Sequence, residues 1–328
     1  MAEATEWMEY PIWQDRNIEI PMINHEKVAY RHKIKDDIIY NGYAYGVDNN
    51  AVIRVNKILA NYLSNTIDFD ITGYAQDNNA YVTAKLEISY DEWGSVVDFM
   101  NIRVYYDYSY TYDERFILAD PITKVLDRRQ MFVCSFLNNY SSNESSPAIL
   151  YKDGKRLAEY SVSNGIFTIV RDLDTTGDEY KVTLDNGESI TYKVKDTCKP
   201  YCLYYLNSRG GWDSMIFDGK ILQKASNSIY SYNREYDNTS SQFNVTNYMK
   251  IKQDKWQLTT GYLTDAQSKK MHNVYDTTKA YLHIFEDDKI IPVTISDTSY
   301  DVKTYRNQGR KLFTYTVNVE SSQLKQIR

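Results

Sequence analysis

Short runs with strand chemistry, most of them about five to eight residues long, recur from one end of this chain to the other, with turn-forming pairs between them. The runs are Lys27–Ile34, Tyr81–Tyr90, Asn101–Tyr110, Phe132–Phe136, Ile166–Val170, Ser189–Val194, Tyr281–Phe285, Ile290–Ile295 and Phe313–Val319. Asn41-Gly42, Asp153-Gly154, Asn164-Gly165, Asn186-Gly187 and Asp218-Gly219 punctuate the sequence. At such pairs the backbone reaches positive φ at low cost, which is what tight hairpins require. A parallel α/β chain would instead place an amphipathic helix between successive strands. Here the pattern predicts only two helices. One is short, over 56–63, where Ile58, Leu59, Tyr62 and Leu63 recur at helical spacing. The other lies near 264–275: Thr264 and Gln267 form a capping-box pair, and Met271, Val274 and Tyr275 supply an inward stripe. The fold class that follows is mainly β, with tandem antiparallel β-sandwich domains, one or two short helices, and a β-rich α+β unit at the C-terminal end.

Local texture suggests three units. An N-terminal β-sandwich spans 1–115 and ends on the tyrosine run 105–112; a small central β-sandwich spans 116–198; a β-rich domain with the helix near 264–275 spans 199–328. The polar stretch 225–244 reads as a long exposed loop or an irregular strand pair.

Tyrosine points to the kind of work such a chain does. There are 32 tyrosines in 328 residues, too many for cores alone, so many are expected on surfaces. A phenol ring offers a large apolar area with a polar tip at low entropic cost, which suits contacts with proteins or sugars. The formal charge is −6, from 38 basic and 44 acidic residues, which opposes general binding to a phosphate backbone. No run approaches the length of a membrane span, and Met1–Tyr10 lacks the apolar core of a signal peptide, so synthesis in a cytoplasm is expected.

Catalytic chemistry leaves little trace. Cys198 and Cys202 stand in a C-x3-C spacing, but the four histidines, His25, His32, His272 and His283, show no ligand spacing, so these two read as buried free thiols, and all three cysteines, Cys134 included, as reduced. The acidic stretch 172–179 looks like a calcium loop yet misses the EF-hand pattern, so a solvated hairpin tip is expected there. Nucleotide-binding and nucleophile-elbow motifs are absent. The chain is expected to be no enzyme, with no catalytic residue, cofactor or metal.

The most distinctive block is Cys202–Gly219, an apolar strand that reaches Gly210-Gly211 and continues into an aromatic strand, as in a hairpin. Trp212 either packs across its own turn, anchors an interface or stacks on a sugar. The candidate contact residues are Tyr204, Tyr205, Arg209 and Trp212 here, and Tyr105, Tyr106, Tyr108, Tyr110 and Tyr112 in the tyrosine run, where alternation sets 106, 108, 110 and 112 on one strand face.

The stretch from Leu206 to Asp213 resembles a feature of structural proteins in tailed phages and prophages of Bacteroidetes, the crAss-like group among them. Ile39–Tyr45 leading to Asn56–Leu63, and Thr260–Asp265 leading to Ile291–Ile295, have the same character, so the resemblance touches the first and last thirds. It implies a non-enzymatic virion component, a tail or connector ring subunit that contacts itself in a homo-oligomeric ring and contacts other virion proteins. The alternative is a carbohydrate-binding, host-adhesion β-sandwich protein in which exposed Trp and Tyr stack on sugar faces, with Trp7, Trp13, Trp93, Trp212 and Trp256 as the rings to test.

Overall fold

The computed structural model describes residues 7–11, 17–22, 25–47, 49–54, 58–59, 62–63, 65–73, 75–78, 81–93, 98–105, 114–119, 124–139, 146–162, 165–174, 176–198, 200–233, 245–297, 299 and 313–327. Strands dominate, in four sheets. The first sheet holds β1 (Trp7–Pro11), β2 (Asn17–Pro21), β3 (Lys27–Ile34), β4 (Asp37–Val47), β5 (Asn50–Arg54), β7 (Tyr81–Ser89) and β8 (Asp98–Tyr105), in the order β1-β8-β7-β3-β4-β5-β2. Residues from both ends of that order, Ile18, Ile20 and Ile53 with Val28, Leu86 and Ile102, share one core. The sheet therefore closes its apolar face upon itself. Its core is sealed by Leu59, which is helical with Ile58; the remainder of the helix expected over 56–63 falls largely outside the described residues.

Two sheets make the central sandwich. One is β10 (Lys124–Asp127), β16 (Ser189–Lys195), β15 (Glu179–Leu184), β12 (Ser146–Lys152) and β13 (Lys155–Val162); the other is β6 (Ala75–Asn78), β14 (Gly165–Asp172), β11 (Met131–Asn139) and β9 (Glu114–Ile117). The chain changes sheet between β11 and β12, between β13 and β14, and between β14 and β15. This is a Greek key of immunoglobulin type. Among the described residues pairing is antiparallel except for β10 with β16 and β1 with β8, which are parallel. Phe132, Phe136, Tyr180, Tyr192 and Val182 fill the space between the two sheets. At the start of β15 the Tyr180 ring is buried, and its hydroxyl accepts a 2.9 Å hydrogen bond from the Asp174 backbone N–H, the tyrosine corner of such sandwiches. Asp153-Gly154 turns β12 into β13 with both residues at positive φ, as a two-residue hairpin demands. Asn41-Gly42 makes no turn: it lies inside β4.

The last sheet runs β18 (Trp212–Phe217), β17 (Tyr201–Leu206), β21 (Ala280–Ile284), β22 (Lys289–Ile295), β23 (Thr316–Ser321), β20 (Val245–Thr259), β19 (Ile221–Asn233), with β24 (Lys325–Ile327) against β20. The helix expected near 264–275 is two turns, α1 (Asp265–Ser268) and α2 (Met271–Tyr275). The capping box forms as the spacing requires, with Gln267 N–H to Thr264 Oγ1 and Thr264 N–H to Gln267 Oε1 at 2.9 Å. A tight bond from Lys270 N–H to Gln267 C=O, a three-residue step, interrupts it, and Met271 and Val274 still reach the core. Of the stretch read as a long exposed loop or an irregular strand pair over 225–244, residues 225–233 are strand, paired with β20 through a bulge, and 234–244 lie outside the described residues.

Two measurable consequences follow from these cores. His32 is fully buried with neither ring nitrogen hydrogen-bonded, and burial pushes its pKa down to about 4. Between the free value near 6.5 and pH 4 the unfolded chain holds a proton that the folded chain refuses, so stability is complete above pH 6.5 and falls as pH drops. The loss reaches about 3 kcal/mol by pH 4, and His32→Leu flattens that part of a denaturant-midpoint-versus-pH curve. Tyr180→Phe removes the acceptor for Asp174 and lowers unfolding free energy by about 1 kcal/mol, readable from chemical denaturation.

Candidate functional site

Strand β17 alternates between two interiors. Leu203 and Tyr205 face the core that also contains Trp256, Leu282 and Val317, whereas Cys202, Tyr204 and Leu206 face a second cluster with Ile67, Val133, Val170 and Trp212. Val133 and Val170 belong to β11 and β14, so this second cluster joins the central sandwich to the last sheet. Trp212, at the start of β18, has 0% exposure and lies 5.6 Å from the Tyr281 ring. Its backbone N–H donates to Ser135 Oγ at 2.8 Å, and the Tyr204 hydroxyl accepts from Met131 N–H at 2.9 Å. Buried Asp213 pairs with Lys124 across the same boundary.

The turn between β17 and β18 is tied down as firmly. Asn207 is buried; its Oδ1 accepts from the backbone N–H groups of Arg209 and Gly211, and its Nδ2 donates to Leu118 C=O at 3.0 Å. A Cβ on Gly211 would stand 2.5 Å from the Leu118 Cβ, so only glycine allows the strand to approach this closely. A segment of the first third closes the junction. Asn65 Nδ2 donates to Gly210 C=O, Lys279 Nζ donates to Asn65 C=O at 3.1 Å, and Phe69 packs 4.8 Å from Tyr204 and 5.3 Å from Tyr281.

These positions correct several expectations. Trp212, Tyr204 and Tyr205 are interior residues, held by contacts within the chain, and none presents a ring to a partner. Arg209 lies half-buried with its guanidinium 4.7 Å from the Phe116 ring centroid, so it too binds the chain to itself. Tyr105 ends β8 with its side chain outside the described residues, and Tyr106, Tyr108, Tyr110 and Tyr112 fall outside them altogether. Trp256 is buried, and Trp93 is half-buried with the Arg31 guanidinium 4.2 Å from its ring centroid. The Trp13 residue and the Trp7 side chain are likewise outside the described residues.

Groups that carry chemistry elsewhere are occupied with structure here. Cys134 and Cys202 are buried and Cys198 is exposed, which corrects the expectation of a buried thiol at Cys198. Burial pushes the Cys134 thiol up to about 12, and Cys202 upward as well. Burial opposes ionisation of Asp127, but hydrogen bonds from Arg129 and Thr197 outweigh it and hold the carboxyl below its usual range. In the acidic stretch 172–179, Asp174 meets Lys152 at 2.7 Å, and Asp153 accepts the Asp178 and Glu179 N–H groups. Among the described residues no group of three or more His, Cys, Asp or Glu is arranged to hold a metal ion.

Among the described residues, exposed aromatic side chains gather with other exposed apolar ones in two places away from this block. Tyr43, Tyr45 and Val47 line one side of β4 with Val52 of β5 beside them. The larger is the distal β19–β20 ribbon. β23 pairs with β20 over Thr259–Lys255 and β24 over Lys252–Lys250; beyond Lys250 toward Val245 the ladder consists, among the described residues, of β19 and β20. Ile229, Tyr230, Tyr232, Val245 and Tyr248 are exposed by 55, 42, 43, 57 and 61%. Tyr248 is the extra residue of a β-bulge, and its ring stands 6.3 Å from Tyr230 and 6.4 Å from Tyr232.

Trp212→Ala empties the inter-sheet cluster and costs about 3–5 kcal/mol of stability, measured by denaturant titration, because the residue supports the chain's own packing.

No protein-family model matches the sequence, and no curated protein does. Solved structures similar to this chain include fibronectin(III)-like modules of Clostridium thermocellum CbhA, at 12% identity over 59% of this chain and 90% of that one, with a TM-score of 0.19. A 1.5-MDa bacterial ice-binding adhesin matches at 7% identity over 74% of this chain and 90% of the other, with a TM-score of 0.18. The N-terminal eight Ig domains of Down Syndrome Cell Adhesion Molecule match at 9% identity over 96% of this chain and 35% of theirs, with a TM-score of 0.20. At these TM-scores the likeness adds nothing to the β-sandwich fold read from the strands themselves.

Proposed function

We propose that this chain is a non-enzymatic structural subunit that assembles with copies of itself, acting as a tail or connector ring component of a tailed-phage virion. The observation that supports assembly is the distal β19–β20 ribbon, a two-stranded ladder with exposed Tyr230, Tyr232 and Tyr248. A lone two-stranded ribbon is marginal in water, and aromatic side chains on it gain most when a neighbour covers them. The virion assignment rests on the resemblance of Leu206–Asp213 and its companion segments. A ring subunit needs contact surfaces on several sides, and the second tyrosine face, on β4, supplies another.

The competing role, sugar binding through exposed Trp and Tyr, loses two of its tryptophans to burial, Trp212 and Trp256. Light scattering over a range of concentrations separates the two. A closed oligomer of fixed mass is the expected result, and Tyr230→Ser/Tyr232→Ser/Tyr248→Ser should lower that mass while leaving the melting temperature nearly unchanged, since exposed substitutions alter stability by only about 0.5 kcal/mol. A chain that stays monomeric at every concentration and ignores virion proteins from its source would refute the proposal.

A further inference from the structure

We infer that β19 pairs edge to edge with β19 of a second copy of this chain, antiparallel across a two-fold axis near Ile229. The inference rests on the assembly reading above and names its contact. Backbone N–H and C=O groups on an open sheet edge are a template for another strand, and natural edges are usually blunted by shortness, charge, proline or a bulge.

Among the described residues, the edges bear this out everywhere but one. β1 and β2 each carry a glutamate and end in proline, β6, β9 and β10 are four residues long and charged, and β18 has six residues with buried Asp213. β13 has eight residues and carries Lys155, Arg156 and Glu159. β24 has three residues and carries Lys325. By contrast β19 is 13 residues long, its one charge is Lys224, and Ala225–Asn233 contains neither charge nor proline. The bulge in the ribbon belongs to β20, where Tyr248 is the extra residue, so β19 itself runs without interruption.

The side chains of that uncharged stretch select the occupant. Antiparallel pairing about Ile229 sets Ile229 against its own copy, Ser228 against Tyr230, Asn227 against Ser231, and Ser226 against Tyr232. Each tyrosine then meets a serine, large against small, on one face, while exposed Ile229 meets an isoleucine on the other. The absence of charge removes the repulsion that would ordinarily forbid a strand from pairing with itself. This two-fold contact is separate from the head-to-tail contact that closes a ring, and it joins copies in pairs.

Two experiments on the full chain test it. Under a mild oxidant, Ile229→Cys in a Cys198→Ser background should give a disulfide-linked dimer, since Cys198 is the exposed native thiol. Ala225→Cys in the same background should not, because its mate across the axis is Asn233. Crosslinking of Ala225→Cys, or none at Ile229→Cys, overturns the antiparallel register. Separately, Ser226→Lys/Ser228→Lys places charge on the edge without touching any core. If the native chain assembles, this variant should scatter at half its mass with an unchanged melting temperature. An unchanged mass overturns the edge contact while leaving the assembly reading intact, whereas a native chain that is monomeric throughout overturns both.

Discussion

Burial of β17 on both faces is the constraint from which the rest of the molecule takes its arrangement. A strand with one wet face needs a single core; this one needs two, and its sequence Tyr201–Leu206 is apolar or aromatic at every position. The second core, around Trp212, is built from the central sandwich, the last sheet and a segment of the first third. Units that meet through such an interior share packing in the manner of a domain core, which sets this boundary apart from the polar interfaces that usually separate mobile domains. Trp212 pays for its position in one respect: its indole N–H is buried without an acceptor, and the cluster tolerates that loss because the surrounding apolar contact is extensive.

Much of the β character was legible because hydrophobic alternation is a local property. Lys27–Ile34 appears as a strand with the expected bounds, and Ser189–Val194 needs one further residue. The tandem β-sandwich class follows from such runs together with turns such as Asp153-Gly154. Asn41-Gly42 misleads because the same dipeptide fits inside a strand when its neighbours pair, as Tyr30 and Gly42 do. The fate of individual aromatic residues was not legible. Trp212 and Tyr204 carry the same chemistry whether a partner chain or the chain's own sandwich covers them, and which one does is decided by contacts with Val133 and Val170, dozens of residues away.

The ribbon was obscured for the opposite reason. Strand recognition relies on one apolar and one polar face, and β19 from Gln223 to Tyr232 is exposed on both. Serine and asparagine in that stretch read as a loop or an irregular strand pair, yet the stretch pairs with β20, whose own ladder is held by β23 and β24 further along. The surface with most to offer a partner is therefore the one that hydrophobic patterning is least able to reveal, while the block that looked most like an interface serves the interior.

Strand β6 carries a consequence for how the chain reaches this state. It lies between β5 and β7 in sequence, both members of the first sheet, yet it pairs with β14 of the central sandwich, Ala75 opposite Ile169 and Asn78 opposite Ile166. The chain thus lends four residues from inside one unit to complete the sheet of the next. The borrowed strand is made early and must wait for a partner almost a hundred residues downstream, so the closing step is a long-range loop closure of the kind that slows folding. Until it arrives β14 keeps a bare edge, and the first unit keeps a tethered loop. The central sandwich and the first sheet are linked in assembly order as well as in space.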